Sequence, residues 1–226
     1  MRKITAVIPV RKGSVRVKNK NLKPFAGSTL LEIKIKQLKK VKGIENIVVT
    51  SDCEKMIAIA KSLGVSTHKR GEYYASSEAS NSEFFKNIGE SIDADFIMYS
   101  PVTCPLISLE TYHECIDEFK TNKSIESLVT VSSIKHHLWH DGKPINYEID
   151  KAPNSQDLPD IYAVTYGVCI ISRENMIKYS NAVTLKPKFR VLDEIESIDI
   201  DTEFDFLVAE YIYQRIRKEG ESNYEK

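Results

Sequence analysis

Net charge, long apolar runs and paired cysteines are all missing from this 226-residue sequence. The 32 basic residues balance the 32 acidic ones, so the chain has no overall field that would attract nucleic acid or an anionic membrane. No apolar run is long enough to predict a membrane span or a signal peptide. The four cysteines are scattered without a C-x-x-C pair, which predicts reduced thiols in a cytoplasmic protein and argues against structural zinc.

Short β-rich runs alternate with amphipathic stretches along most of the chain. Strands are predicted at 4–8, 46–50, 65–68, 96–99, 127–131, 166–171 and 197–200, and helices at 29–40, 54–63, 82–91, 109–119, 173–179 and 205–218. Gly64 is predicted to end the second helix. The alternation predicts an α/β fold, a mostly parallel sheet flanked by helices, in a single domain 1–226.

The periodicity fails between 133 and 163, where three prolines and several polar residues interrupt it. A structureless loop of this length is unusual in a compact domain, so the segment is predicted to be an arm or hairpin with its own role. His136, His137 and His140 lie within it. No cysteine or carboxylate completes a zinc set around them, so an interface or substrate contact is favoured over metal binding.

A basic segment follows the first predicted strand. Residues 1–31 contain no acid, yet six cations crowd 11–23 around Gly13 and Ser14. The segment matches neither the Walker loop nor G-x-G-x-x-G. It lies where open α/β sheets bind ligands, and Gly13 allows backbone amides to approach phosphate oxygens. A solvated basic loop is the alternative, and the position after a strand favours phosphate binding.

Two aspartates stand two residues apart near the end of the chain, in S-I-D-I-D-T at 197–202. On a strand, this spacing puts Asp199 and Asp201 on one face, roughly 6.6 Å apart at their Cα atoms. Two carboxylates so placed suit Mg²⁺, which keeps several waters and takes its other ligands from substrate phosphates. Thr202 and Asp205 also fit a helix-capping pattern, and both interpretations can hold together.

Several segments together resemble a known family. They are I-P-V-R-K-G-S at 8–14, K-N-K-N-L at 18–22, Arg70 with A-S-S-E-A-S at 75–80, T-C-P-L at 103–106, Q-D-L-P at 156–159 and S-I-D-I-D-T at 197–202. The chain resembles the CMP-sialic acid synthetases, cytidylyltransferases that activate nonulosonic acids, and more distantly the CMP-Kdo synthetases.

The resemblance implies a three-layer, Rossmann-like nucleotide-diphospho-sugar transferase fold. It implies a soluble enzyme that uses CTP and Mg²⁺ to convert a 2-keto sugar acid into a CMP-sugar for surface glycan synthesis, with 133–163 as the arm of a homodimer. The catalytic residues would be Arg11, Lys20, Asp199 and Asp201, with both aspartates on the metal. The substrate-binding residues would be Ser14, Asn21, Arg70, Ser80 and Thr103.

Two departures from the family pattern concern the acceptor. Pro101 and Val102 stand where a sialate-using enzyme has Gln-Pro, and 164–166, V-T-Y, stand where Arg-Pro-Asn is common. Sialic acid itself is therefore not the expected acceptor. A Kdo-like acid, a phosphonate, a sugar phosphate and a non-catalytic nucleotide-binding role are the alternatives, and the general base is left open between a metal-bound water and one of the aspartates.

Overall fold

A seven-stranded sheet forms the centre of the fold. The structure, a computed structural model, describes residues 2–14 and 16–222, with side chains up to residue 218. The strands in chain order are β1 (Ile4–Pro9), β2 (Pro24–Phe25), β3 (Ser28–Thr29), β4 (Ile44–Ser51), β5 (Ser66–Lys69), β6 (Phe96–Tyr99), β7 (Ser127–Ile134), β8 (Trp139–His140), β9 (Lys143–Pro144), β10 (Ile161–Ser172) and β11 (Lys188–Val191). The helices are α1 (Leu30–Leu38), α2 (Glu54–Ser62), α3 (Glu72–Ala75), α4 (Asn81–Ser91), α5 (Leu109–Thr121), α6 (Arg173–Tyr179) and α7 (Glu203–Ser222).

The sheet is mostly parallel, as predicted. Its strand order is β11-β7-β10-β6-β1-β4-β5. β1 pairs in parallel with β4 and β6, β4 with β5, and β11 with β7. β10 alone runs antiparallel to its neighbours β6 and β7. Because β1 lies inside the sheet, the segment after it emerges at the edge where β4 and β6 also end.

Helices cover both faces of the sheet and make three layers. Along β1, Ile4, Ala6 and Ile8 pack into one apolar cluster with α1, α2, α5 and α7. Val7 points the other way, into a second cluster with α4 and α6. This alternation is the period of two that a strand imposes on side chains. No helix of the described chain is both long and apolar enough to cross a membrane.

Polar caps start several helices at the places the sequence indicates. Thr29 accepts a hydrogen bond from the Glu32 amide at the start of α1, and Ser108 accepts one from the Thr111 amide at the start of α5. Such a cap satisfies an amide that the helix itself leaves without a partner. Gly64 lies just beyond α2 with a φ of +68°, a left-handed conformation that favours glycine. The prediction for this position is confirmed.

The predicted strand at 197–200 is wrong. The Ser197 amide donates to the Asp193 carbonyl at 3.0 Å, and the Ile198 amide donates to the Ile195 carbonyl at 3.3 Å. A turn at 194–197 therefore leads into this segment, and 198–200 form an irregular loop. Ile200 is buried and Ile198 packs against the same core cluster. The apolar alternation therefore reflects packing on a loop, which periodicity alone does not distinguish from a strand.

The 133–163 segment contains more regular structure than its composition suggests. Its ends belong to the sheet, because β7 extends to Ile134 and β10 begins at Ile161, and these two residues pair. Within it, β8 and β9 form a small hairpin through Asp141 and Gly142, which have φ values of +47° and +73°. Positive φ at both turn residues suits a tight hairpin. Strand β11 and helix α3 were not predicted.

Candidate active site

A cavity of about 510 Å³ opens at the carboxyl ends of β1 and β6. Ligands of open α/β folds bind at this edge of the sheet. Of the residues predicted as functional, seven line the cavity: Arg11, Ser14, Lys20, Asn21, Arg70, Thr103 and Asp201. They come from five separate stretches of sequence, and the fold brings them together.

The basic loop is fixed by its own backbone and by one buried amide side chain. Gly13 has a φ of +78°, and Asn19 has a φ of +55° where it leads into a short 3₁₀ turn, Lys20–Leu22. Asn21 is buried and its Nδ2 donates to the Arg11 carbonyl at 3.1 Å. Val17 is buried in the core. The loop is therefore anchored to the protein, unlike a freely solvated basic loop.

Lys20 joins the basic loop to the acidic segment. Its ammonium donates a hydrogen bond to the carbonyl of Ile200, between the two aspartates. Desolvation lowers the pKa of Lys20, and the charges of Asp199 and Asp201 act in the opposite direction. The basic loop and the acidic segment therefore contact each other at one site.

Two of the arginines that line the cavity, Arg11 and Arg70, are anchored by carbonyl groups. Arg11 Nη1 donates to the Ala75 carbonyl at 2.8 Å, and Arg70 Nη2 donates to the Val10 carbonyl at 2.7 Å. Arg70 is buried, and its guanidinium carbon lies 5.2 Å from the ring centroid of Phe84. Its Nε has no hydrogen-bond partner among the residues that the structure describes. Desolvation lowers the pKa of Arg70. Among the described residues, no carboxylate forms an ion pair with Arg11 or Arg70, so both charges are available to an anionic ligand.

The aspartates differ in their surroundings. Asp199 keeps exposed surface, yet its Oδ1 lies 3.8 Å from the thiol sulfur of Cys104. Desolvation raises the pKa of the Asp199 carboxyl, opposed by hydrogen bonding from Thr103 and reinforced by the charge of Asp201. Asp201 forms an ion pair with Arg16 at 2.8 Å. The charge of Asp201 acts on the Asp199 carboxyl, and two such like charges favour a cation between them.

Helix capping is carried out by Thr202 and Asp205, not by the paired aspartates. Asp205 Oδ2 accepts hydrogen bonds from the Asp201 and Thr202 amides at 3.1 and 2.7 Å. The Asp205 amide donates to Thr202 Oγ1 at 3.2 Å. The carboxylates of Asp199 and Asp201 therefore take no part in the helix cap. The segment can cap α7 through Thr202 and Asp205 and still offer two carboxylates to a metal.

These carboxylates offer the hard oxygen ligands that Mg²⁺ prefers. No group of three or more His, Cys, Asp or Glu side chains able to hold a metal occurs among residues 2–14 and 16–222. A pair of carboxylates without a complete protein cage is the arrangement by which Mg²⁺ is shared with substrate phosphates. The residues present therefore fit this ion.

Ser80 is placed differently from what the resemblance implies. Its hydroxyl accepts a hydrogen bond from the Glu83 amide at 3.2 Å, and its backbone amide donates to Glu83 Oε2 at 2.9 Å, which makes a capping box at the start of α4. Its neighbours Ala79 and Asn81 line the cavity, and Ser80 is not among the lining residues. A serine followed three residues later by glutamate is a capping signature visible in the sequence. A substrate contact by Ser80 remains untested.

Several cavity residues were not predicted as functional. These are Arg16, Tyr74, Ser76, Ser77, Phe84 and Tyr99, with Pro101 and Val102, which the sequence singles out only as departures from the family pattern. Aromatic residues on helices and strands are usually part of a core, so periodicity gave Phe84 and Tyr99 no functional signal. Arg16 was visible as one of six clustered cations.

An aromatic group stands beside the departures from the family pattern. Tyr166 has a φ of +56°, and its ring stacks on Phe85 with centroids 5.8 Å apart. Tyr99, which lines the cavity, packs edge-on against both rings. With Pro101 and Val102 this side of the cavity is largely apolar, in contrast to the cationic side.

A three-layer α/β fold with a cationic loop facing paired carboxylates at the sheet edge defines a protein of the nucleotidyltransferase class. A family model described as cytidylyltransferase matches residues 5–148, more than half of the chain. The chain therefore belongs to the cytidylyltransferase family and is a nucleotidyltransferase.

The individual relatives within this family share only modest sequence identity with the chain. The chain is 26% identical to an N-acylneuraminate cytidylyltransferase of Escherichia coli O18:K1:H7 over 94% of its own length, and spans about half (52%) of that protein. It is 27% identical to a CMP-N,N'-diacetyllegionaminic acid synthase of Legionella pneumophila, covering 94% of this chain and 97% of that one. A solved structure of CMP:2-keto-3-deoxy-manno-octonic acid synthetase complexed with CTP shares the fold, with a TM-score of 0.68 and 13% identity over 94% of this chain and 99% of the other.

Proposed function

We propose that the chain transfers CMP from CTP to a 2-keto sugar acid of the nonulosonic class, with release of pyrophosphate. The observation that carries this proposal is the hydrogen bond from Lys20 to the Ile200 carbonyl, between the two aspartates. Lys20 lines the cavity together with Arg11, Arg70 and Asp201. The activities for which the Escherichia coli and Legionella pneumophila relatives are named support the choice of CTP and of a nonulosonic acid.

In this reaction the anomeric hydroxyl of the acceptor attacks the α-phosphorus in line. The new O–P bond forms as the bond to pyrophosphate breaks, and the hydroxyl proton is lost. Lys20 and Arg11 neutralise charge on the α-phosphate and on the departing pyrophosphate, which is the main contribution a protein makes to such transfers. Ser14, Asn21 and Arg70 orient the nucleotide.

Asp199 and Asp201 would hold Mg²⁺ at the edge of the cavity. When bound, the ion supplies charge neutralisation across phosphate oxygens. The pair suits this task because the negative charges of Asp199 and Asp201 repel each other, and a bound cation would relieve that repulsion.

The acceptor side supports a sugar acid other than N-acylneuraminate. Pro101 and Val102 line the cavity and offer no side-chain hydrogen bonds, and Tyr166 presents a stacked ring close by. An apolar wall favours an acceptor with deoxy or methyl groups over one with more hydroxyls, because buried hydroxyls need partners.

A substrate panel tests the proposal. Purified protein is given CTP, Mg²⁺ and a series comprising N-acylneuraminate, deoxy nonulosonic acids, a Kdo-like acid, a phosphonate and a sugar phosphate. We expect pyrophosphate release and a CMP-sugar mass with a nonulosonic acid, and no release in the presence of chelator. Release with the sugar phosphate or phosphonate alone, or with none of the panel, would contradict the proposed acceptor.

We further propose that the enzyme is a cytoplasmic homodimer joined through 133–163. Trp139, Ile145 and Ile149 are 54%, 59% and 67% exposed in the single chain, an amount of apolar surface that an interface would cover. All four cysteines are free, which supports a reducing compartment. Light scattering should give twice the chain mass for the wild type and the chain mass for Trp139→Lys.

A further inference from the structure

Lys34 is a completely buried lysine on the core face of α1. Its side chain has no exposed surface, and no carboxylate lies within ion-pair distance among the described residues. Its ammonium donates three hydrogen bonds of 2.8 Å, to the Cys104 carbonyl, Tyr112 Oη and Gln37 Oε1. A buried charge without a counter-charge lowers the stability of the fold. The Lys34 ammonium is tolerated there because each of its three N–H groups has a hydrogen-bond acceptor.

The segment that this network holds is the connection between β6 and α5. Lys34 binds the Cys104 carbonyl directly, and Gln37 Nε2 donates to the Ile107 carbonyl. Tyr112 Oη also shares a hydrogen bond of 2.8 Å with Ser100 Oγ. One ammonium therefore fixes both the first part of the connection, at Ser100, and its middle, at Cys104.

The other side of the same connection supports the acidic segment. The Ile200 amide donates to the Thr103 carbonyl at 2.9 Å, and Cys104 Sγ lies 3.8 Å from Asp199 Oδ1. Thr103 itself lines the cavity. Since 197–200 is not part of the sheet, these contacts replace the strand pairing that would otherwise hold the two aspartates in place.

We propose that Lys34 is a positioning residue, which clamps residues 100–104 from the buried side and thereby holds Asp199 and Asp201 ready for a divalent cation. The inference rests on the proposed metal role of the two aspartates. Lys34 touches neither aspartate and is separated from the cavity by the loop that it holds.

The protonation state of Lys34 agrees with this role. Burial lowers its pKa to about 8, so the amine is predominantly charged at neutral pH. Only the ammonium form has three donors for its three acceptors. The titratable groups facing it are Tyr112 and Cys104, and burial raises the pKa of both, so both stay neutral.

The test uses Lys34→Met, which keeps an unbranched side chain of similar length and removes the hydrogen-bond donors of the ammonium group. Lys36→Met is the matched control, because Lys36 lies on the same helix and is exposed. Mn²⁺ is the probe, and its binding is measured by electron paramagnetic resonance with CTP present and no acceptor. Hydrogen exchange of the peptide containing Ile200 and the melting temperature are measured on the same samples.

We expect Lys34→Met to weaken Mn²⁺ binding roughly tenfold, the usual effect of removing a group that supports metal ligands. The Ile200 peptide should exchange faster, while the melting temperature stays within roughly 5 °C of wild type. Lys36→Met should match the wild type in all three measurements. Unchanged Mn²⁺ affinity in a folded Lys34→Met protein would overturn the inference.

Two further outcomes are decisive. If the wild type binds no Mn²⁺ with CTP, the proposed metal site itself is wrong and the inference falls with it. If Lys34→Met does not fold, Tyr112→Phe takes its place, since it removes the link to Ser100 and keeps the ring. Weaker Mn²⁺ binding by folded Tyr112→Phe supports the clamp, and wild-type binding overturns it.

Discussion

The two walls of the cavity are built on different physical principles. On the cationic wall, Arg11, Lys20 and Arg70 donate to backbone carbonyls, so they are held in position while their charge remains available. On the acidic wall, Asp199 and Asp201 are held through a loop that is itself fastened from behind by a buried amine. A cationic side chain can thus be oriented without losing its charge, because a backbone carbonyl accepts its hydrogen bond but does not neutralise it.

The largest expected effect comes from breaking the acidic wall. Asp201→Asn keeps the size of the side chain and removes one of the charges proposed to hold Mg²⁺. We expect kcat/KM for pyrophosphate release to fall by roughly a thousandfold, since a metal supplies several kcal/mol to the transition state. The fold should survive, because Asp205 caps α7. Glu194→Gln, an exposed change nearby, should retain wild-type activity, and equal activity of the two variants would refute the assignment.

Removing a charge from the cationic wall should reduce the activity less than Asp201→Asn does. Lys20→Gln removes a single charge while Arg11 and Arg70 remain, so kcat should fall by roughly a hundredfold. Lys18→Gln is the matched control, because Lys18 is exposed on the same loop and does not line the cavity. Steady-state kinetics with saturating CTP measure the difference. A Lys20→Gln loss no greater than that of Lys18→Gln would show that the loop acts only through its overall charge.

The walls also differ in how well sequence reasoning anticipated them. The cationic wall was visible because Arg11, Lys20 and their neighbours are close in sequence and follow a buried strand. The aspartates were found through spacing and resemblance, although 198–200 form an irregular loop and not a strand. Lys34 was invisible, since a lysine among apolar helix residues looks like an exposed position until tertiary contacts are known.

Other features were hard to predict because one local sequence pattern fits more than one structure. Strand β11 has only four residues, and its apolar side chains, Phe189 and Val191, are exposed, so the run is too short to mark a strand by its pattern. Ser80 carries both a family motif and a capping signature, and the structure shows the cap. Phe84 and Tyr99 look like core residues, and only the fold shows that they also line the cavity.

The buried support of the acidic wall predicts a pH dependence of stability. The pKa of Lys34 is lowered from 10.5 to about 8 in the folded chain. Between pH 8 and pH 10.5, Lys34 is therefore protonated in the unfolded chain and mostly neutral in the folded chain. Below pH 8 the folded chain bears the full free-energy cost of burying the charged ammonium, and this cost disappears as the pH rises toward 10.5. This group alone should raise the unfolding free energy by roughly 3 kcal/mol across that window.

Comparison with Lys34→Met isolates this contribution. Urea unfolding at pH 7, 8, 9 and 10 gives the stability of each protein, and the other titrating groups cancel in the difference. Wild type should gain stability relative to the variant with rising pH. A difference that stays constant with pH would mean that Lys34 does not titrate in this range in the folded chain.

The smallest effect is expected where the two walls touch in solvent. Arg16 and Asp201 form an ion pair whose side chains are 69% and 43% exposed, so Arg16→Gln should change the unfolding free energy by less than about 1 kcal/mol. The pair does bear on metal binding, because Arg16 and a cation compete for the same carboxylate. Without nucleotide, Arg16→Gln should therefore bind Mn²⁺ slightly more tightly than wild type, by a few-fold at low salt. Lys12→Gln, exposed on the same loop, should not. Weaker Mn²⁺ binding by Arg16→Gln under these conditions would show that Arg16 orients Asp201 for the metal and does not compete with it.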